Sequence, residues 1–389
     1  MKDSFFKNRQ FNLLFTSSVF FMMSFSAPLA ELTDYLDTFS DKSWIGIVIA
    51  MFTAGALLSR FYSGRMADRI GRLPVMLVGT IVTAVCGYLY VFTTTLAAIL
   101  LLRFVHGLST GWRPVGTTAF LSDVIPANRR GEALGYLGVA GSSGSALGPY
   151  LGSVLKEEYS FEVMFAAASL FGLISLILTL GLKESLPNPE KFKWYFLKLS
   201  EGDLVSKAAY PALVAVTLET FGFGTVITVS PDFVDYLGFD YKGSFLLIIV
   251  LSSIASRVYA GKASDRLNKV KLLQFGMILG AISLVIIGLS QSKQMVVSGA
   301  ILYGLSIGVT RPTIFAWTAD LAKKGKIAVA LATMLIGLEV GIFMGAVVSG
   351  RIFNGEIQNL HYSYFVAAFV SLLAALYLHN KSRLGAKIV

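Results

Sequence analysis

Ser59-Arg60-Phe61-Tyr62-Ser63-Gly64-Arg65-Met66-Ala67-Asp68-Arg69-Ile70-Gly71-Arg72 joins the end of one long apolar stretch to the start of the next. The same plan returns as Ser256-Arg257-Val258-Tyr259-Ala260-Gly261-Lys262-Ala263-Ser264-Asp265-Arg266-Leu267-Asn268-Lys269. Ser59, Arg60, Tyr62, Gly64, Asp68 and Arg69 find their matches 197 positions on, at Ser256, Arg257, Tyr259, Gly261, Asp265 and Arg266. The offset holds further along: Gly107-Leu108-Ser109 returns as Gly304-Leu305-Ser306, and Asp123 as Asp320. Self-similarity at one fixed offset means two halves built on one plan.

The chain has 389 residues, of which 14% are charged and 55% hydrophobic. Soluble domains carry about 25% charged residues, so most of this surface is expected to face lipid. Apolar stretches of roughly 20 residues read as membrane spans. Twelve occur, near 11–33, 44–63, 74–94, 97–118, 133–155, 161–182, 209–231, 244–261, 271–290, 295–317, 327–350 and 362–379. Unpaired backbone groups are costly in lipid, so each span is read as a helix. The expected class is an all-α membrane protein with twelve transmembrane helices in two like halves, 1–183 and 209–389. Residues 184–208 form a polar linker, whose Phe192 to Leu199 part would make a short helix on the membrane surface.

The net charge of +10 does not call for nucleic acid, because Lys and Arg gather in alternate loops. Those loops hold Arg65, Arg69 and Arg72; Arg129 and Arg130; Lys183 to Lys207; and Lys323, Lys324 and Lys326. Basic loops stay inside, which places both termini and the linker in the cytoplasm. Cys86 is the single cysteine, which excludes an intramolecular disulfide and a cysteine-based metal site. No His, Cys and carboxylate cluster has metal spacing, and no phosphate-binding Gly-x-x-x-x-Gly-Lys-Ser/Thr loop is present. Neither a metal, a cofactor nor an enzymatic activity is therefore expected. Residues 11–33 read as a retained first span rather than a cleaved leader.

Polar residues inside spans mark the candidate site, since a charge at a helix centre costs about 2.5–3.5 kcal/mol on insertion scales. Glu219, near mid-depth of span seven, is the first candidate for a carboxylate that takes up and releases a proton. Glu339, among the glycines Gly337, Gly341 and Gly345, has the same reading. Arg103 would act on a nearby carboxylate's charge. Glu31, Asp34 and Asp37 read as a solvated outer rim, from which Asp34 would enter the cavity. Arg113 and Arg311 each precede Pro, and two guanidinium forks facing each other would suit a carboxylate or phosphate. His106 lies within about 20° of Arg113 on a helical wheel and could titrate near neutral pH. Phe223 and Trp317 would line an aromatic pocket. Each also has a plain structural reading: a tether between helices for Glu219, Glu339 and Arg103, snorkelling for Arg113 and Arg311, core packing for His106. Arg60 and Arg257, one turn before the loop glycines, are expected to snorkel inward or support the loops, with a role as gate residues as the alternative.

With these residues in hand, the chain resembles the major facilitator superfamily of secondary transporters along nearly its whole length. Gly64-Arg65-Met66-Ala67-Asp68-Arg69-Ile70-Gly71-Arg72 is similar to that superfamily's signature between spans two and three. Gly144-Ser145-Ala146-Leu147-Gly148-Pro149-Tyr150-Leu151-Gly152 resembles the span-five motif of its drug/proton antiporter branch, with Ser153 where a further Gly is usual. Arg103-Phe104-Val105-His106-Gly107 resembles the span-four motif, with His106 where Gln is commoner. The resemblance implies two pseudo-symmetric six-helix bundles around a central cavity, working by alternating access. It implies a gating role for Gly64, Arg65, Asp68, Arg69, Gly71 and Arg72, with Asp265 and Arg266 as a weaker counterpart. Asp68 is expected against a helix N-terminus and against basic groups of the loops, latching the cytoplasmic face closed. The expected function is proton-coupled export of a small organic molecule across the inner membrane by a monomer. The alternatives are a facilitator or symporter of an organic anion and a lipid flippase.

Overall fold

The computed structural model describes residues 5–126, 129–197, 206–266, 268–322 and 327–385. Within these, the chain is helical throughout. The helices are α1 (Arg9–Ser26), α2 (Leu32–Asp37), α3 (Ile45–Ile70), α4 (Arg72–Leu89), α5 (Leu96–Val124), α6 (Arg130–Glu158) and α7 (Phe161–Leu180), then α8 (Tyr210–Tyr236), α9 (Gly243–Arg266), α10 (Lys269–Gly288), α11 (Lys293–Leu321), α12 (Ile327–Phe353) and α13 (Leu360–Gly385). All but the short α2 are long. Among the described residues, nine of these twelve are long and apolar enough to cross a membrane. The exceptions are α5, which carries Arg103 and Arg113, the glycine-rich α6, and α9. The helices fall into two compact units, Met1–Tyr35 with Met51–Leu199 and Leu36–Ala50 with Ser200–Val389. The second unit takes Leu36–Ala50 because Gly46 lies directly on Ala346 and Gly350 of α12.

Helix starts follow from side-chain caps, which satisfy the first free N–H groups. Thr95 caps α5 and Ser292, 197 positions on, caps α11. The next repeat pair is unequal. Asn268 caps α10 with its own carbonyl oxygen, accepting from Val270 and Lys271 N–H. Its mate before α4 is Gly71, at φ +118°, which has no side chain to offer. Glu184 from the linker supplies the cap, accepting from the N–H groups of Arg72 and Leu73 at 3.0 Å each. A side chain on Gly71 would collide with that carboxylate.

Small residues set the packing inside each unit, as they do where helices associate in lipid. In unit one, a Cβ on Gly144, Gly148 or Gly152 of α6 would strike Val19, Ser26 or Ala27. In unit two, Gly341 and Gly345 of α12 meet Thr217, Thr220 and Phe221 of α8 in the same way. Gly144 and Gly341, like Gly148 and Gly345, are 197 apart. Gly107 and Gly111 of α5 close onto Phe52 and Ser59 of α3, and Gly304 and Gly308 of α11 close onto Ile249 and Ser256 of α9.

Unit one has a polar knot at its centre. The Arg113 guanidinium is buried among hydroxyls of three other helices. It donates to Ser17 of α1 at 2.8 Å, to Ser175 and Thr179 of α7 at 3.0 and 3.1 Å, and to Thr80 of α4. Each hydroxyl sends its own proton to a backbone carbonyl: Ser17 to Leu14, Thr80 to Met76, Ser175 to Ser17 and Thr179 to Ser175. Their lone pairs are thereby left for the cation. The Phe21 ring face, 4.9 Å from the guanidinium carbon, adds a cation–π contact.

Stability measurements on three variants in detergent test this packing. Gly152→Ala should lower the unfolding free energy by about 1–3 kcal/mol through overpacking. Gly138→Ala, which meets nothing within 4 Å, should be neutral or gain up to about 1 kcal/mol in helix propensity. Arg113→Lys keeps the charge but cannot reach three helices at once, and should lose about 2 kcal/mol.

Candidate functional site

In unit two, α8, α9 and α11 bring a carboxylate and two guanidinium groups together. Glu219 of α8 is 8% exposed and Arg311 of α11 is 20% exposed. The Arg311 Nε lies 3.4 Å from Glu219 Oε2 and 3.5 Å from Oε1. A tight N⁺–H···O⁻ bond is about 2.7–2.9 Å, so this pair is held by charge more than by a bond. Thr310 donates to Glu219 Oε1 at 3.2 Å, while Oε2 is buried with no hydrogen bond among the described residues. The guanidinium stands over the Phe223 ring, 5.3 Å from its centroid. Among the described residues the terminal Nη atoms of Arg311 have no hydrogen-bond partner, so the outer edge of its fork is open. Arg257 of α9 is near enough for its charge and that of Arg311 to oppose each other. Tyr303, 3% exposed, is within electrostatic reach of both Glu219 and Arg311.

The other expected site residues of unit two are placed differently. Trp317 packs in the apolar core with Ala212, Met277 and Met334, so it is a core residue rather than a pocket lining. Glu339 is buried on α12, beside the glycine seam with α8. The side chains of Asp265 and Arg266 lie outside the described residues.

Unit one divides its polar residues among three places. Arg113 is enclosed in the hydroxyl knot, which corrects its assignment as a substrate-facing residue: its fork is already spent on α1, α4 and α7. His106, fully buried, is bonded through Nε2 to Thr83 at 2.9 Å and through Nδ1 to Tyr90 at 3.1 Å, with its ring edge-on to Phe52. The Arg103 guanidinium, 2% exposed, covers Phe52 at 4.4 Å and reaches the Tyr90 hydroxyl at 3.4 Å. These two belong to one network between α3, α4 and α5.

The acids after α1 are not all a solvated rim. Glu31 is fully buried and accepts from the Ser153 hydroxyl. Lys156 lies 3.8 Å from Glu31, 3.4 Å from Asp34 and 2.6 Å from Glu157. Burial works against the Lys156 charge, but the Glu157 bond and the charges of Glu31 and Asp34 raise its pKa above the ordinary lysine value. Asp34 is thus an ion-pair partner at the end of α6. Ser153, the departure from the antiporter motif, supplies the hydroxyl that bonds Glu31, which a glycine there could not.

The signature loop closes on itself. Arg72 bonds Asp68 at 2.6 Å and Asp123 at 3.0 Å. Asp68 pairs with Arg72, a basic group of the loop, while the α4 N-terminus, the other place expected for it, is taken by Glu184. The repeat mate of the Arg72–Asp123 pair is Lys269–Asp320, at 2.7 Å. Gly64 has open space around it. Thr310, Tyr303 and Glu184 are contributions that the sequence reading did not assign, and Arg257 and Glu31, expected at the loops and on an outer rim, stand instead beside Arg311 and in the interior. The repeat could have exposed one of them: Gly71 stands where Asn268 caps a helix, so an outside cap was needed.

Comparison with known proteins agrees with this architecture. The profile of the Major Facilitator Superfamily matches residues 13–271 and 212–386. "Multidrug resistance protein 2" of Bacillus subtilis (strain 168) is 25% identical over 346 residues, covering 85% of this chain and 84% of its own. "Quinolone resistance protein NorA" of Staphylococcus aureus (strain MRSA252) is 22% identical over 365 residues, covering 90% and 92%. The crystal structure of the human organic anion transporter MFSD10 (TETRAN) superposes with a TM-score of 0.73 at 18% identity, over 96% of this chain and 99% of that one. With its repeated halves, its membrane-spanning helices and its signature loop, the chain belongs to the Major Facilitator Superfamily of membrane transporters.

Proposed function

We propose that the chain is a proton-coupled exporter of small organic molecules in the inner membrane, with both termini in the cytoplasm. It works by alternating access, exposing the Glu219–Arg311 cluster to one side and then the other. The observation that carries this reading is the loose ion pair itself. A buried carboxylate needs either a cation or a proton to offset desolvation. Arg311 at 3.4 Å supplies the first, and a proton arriving on Glu219 would replace it and free the guanidinium. Substrate and proton then compete for one pair of groups, which is what coupling requires. Moving one charge through 100 mV releases about 2.3 kcal/mol, enough to drive a concentration ratio of about fiftyfold. The names of the drug-resistance relatives favour export.

The Arg311 fork, open beside Glu219, favours an organic anion or zwitterion as substrate. The same guanidinium supports a second reading, a symporter or facilitator of an organic anion. The organic anion transporter of similar fold is consistent with either.

Proteoliposomes with an imposed pH gradient and an internal pH dye test the assignment. Drugs and organic anions are added one at a time. Glu219→Gln should reduce substrate-driven proton movement at least tenfold, and unchanged movement would remove Glu219 from coupling. Arg311→Ala should raise the KM for anions at least tenfold and leave cationic compounds less affected. Substrate flux that persists in Glu219→Gln without proton movement would select the facilitator.

A further inference from the structure

The linker is fastened to the signature loop of unit one at five points. Glu184 caps α4. Ser185 donates to Asp123 at 2.8 Å, the same carboxylate oxygen that Arg72 holds. The Glu190 N–H donates to the Arg69 carbonyl at 2.7 Å. The Arg69 guanidinium donates to the Tyr195 hydroxyl at 3.1 Å and covers the Phe196 ring at 4.8 Å. Phe196 itself is 1% exposed and packs on Met66, Ala67 and Val75, with Trp112 and Val115 beside them.

That anchor fixes the depth of its neighbours. Val75 is one turn inside α4, and Trp112 and Val115 lie more than two turns from the end of α5 at Val124. The residues beside Phe196 are therefore held where the spans leave the hydrocarbon. They are aromatic and uncovered: Phe192 is 46% exposed, Trp194 79% and Tyr195 54%. Phe192 and Trp194 meet edge to face at 5.3 Å and form one ridge. Lys191 and Lys193 flank it. Among the described residues the acids nearby are engaged: Glu190 with Lys193 at 3.7 Å, Glu184 with the helix cap, and Asp68 and Asp123 with Arg72. Tryptophan and tyrosine rings are stable at headgroup level, and lysines there attract anionic lipid.

We propose that the ridge of Phe192, Trp194 and Tyr195 with Lys191 and Lys193 is a docking surface for anionic phospholipid headgroups, held against the signature loop by the Phe196–Arg69 clasp. It uses no residue of the Glu219–Arg311 cluster, so it stands or falls separately from the transport reading. A lipid on the ridge braces the segment that caps α4, so the lipid surface bears on the loop that joins α3 to α4.

Trp194 is its own reporter. The full-length protein is placed in vesicles containing equal fractions of brominated phosphatidylglycerol or brominated phosphatidylcholine. The Trp194 signal is taken as the difference between wild type and Trp194→Phe. Brominated phosphatidylglycerol should quench it at least twofold more than brominated phosphatidylcholine. Joint Lys191→Gln and Lys193→Gln substitution, at two exposed positions, should abolish that preference while quenching persists, and 1 M salt should do the same. Equal quenching by the two lipids in wild type would overturn the headgroup specificity. Full quenching by aqueous iodide, with none by either lipid, would place the ridge in water and overturn the proposal entirely. In anionic vesicles, hydrogen exchange over 65–72 should be slower than in neutral ones for wild type and equal for Phe196→Ala. Equal exchange in wild type would overturn the link to the loop.

Discussion

A charge inside lipid has to be satisfied by the bundle that carries it, because no water is there to do so. This constraint decides where each polar residue of this chain points. The two units meet it by different means. Unit one surrounds a cation with neutral oxygens: four hydroxyls, each with its proton turned to a backbone carbonyl, present lone pairs to Arg113. Unit two sets one ionised group against another, Glu219 against Arg311. The hydroxyl knot has no partner that could be exchanged, so it serves to hold α1, α4, α5 and α7 together. The ion pair, loosely held at 3.4 Å, is the arrangement that the proposed proton exchange would use.

The difference between the units is visible because their packing is so alike. Gly79 of α4 abuts Arg113, and Gly276 of α10 abuts Thr310. These are repeat mates, so position 113 in unit one corresponds to position 310 in unit two. Where Thr80 stands in the knot, Met277 stands 197 positions on and joins the apolar core. Removing the arginine from that position removed the need for a hydroxyl around it. The ends of the repeat differ for a similar reason. Asn268 caps α10 alone, whereas Gly71 leaves α4 open to Glu184. The missing cap is what brings Glu184 of the linker onto α4, while Ser206, at the linker's other end, donates to Thr333 of α12.

Much of this was legible in the sequence. The twelve apolar stretches, the 197-residue repeat and the glycine faces all depend on patterns that run along a single helix, and periodicity reports those directly. Glu219 was legible for the same reason: a lone acid in an apolar span must be accounted for. What could not be read was the partner across the bundle. His106 and Arg113 share a helical face, yet one bonds Tyr90 and the other reaches α1 and α7. Glu31, Asp34 and Asp37 all follow the first span, which groups them in the sequence, but Ser153 and Lys156 of α6 take Glu31 into the interior. Trp317 was read as a lining because aromatic residues serve both in cores and in pockets, and only its neighbours tell them apart. Arg257 was read as a loop support, since nothing within its own helix shows that Arg311 stands beside it.

The one-residue shift between Arg113-Pro114 and Arg311-Pro312 follows from the same packing. A shift of one residue turns a side chain by about 100° around the helix. The position equivalent to 113 is a seam position, pressed against a glycine of the neighbouring helix in both units. An arginine on the seam is drawn into its own unit and must be fully satisfied there, as Arg113 is. An arginine one step later leaves the seam to a small residue, here Thr310, which bonds Glu219 from below. Arg311 is then free to lie over Phe223 with its Nε toward the carboxylate and its outer fork uncommitted. Strict repetition would have spent the second arginine on the seam, as Arg113 is; displacement by one residue is what sets Arg311 against Glu219 instead.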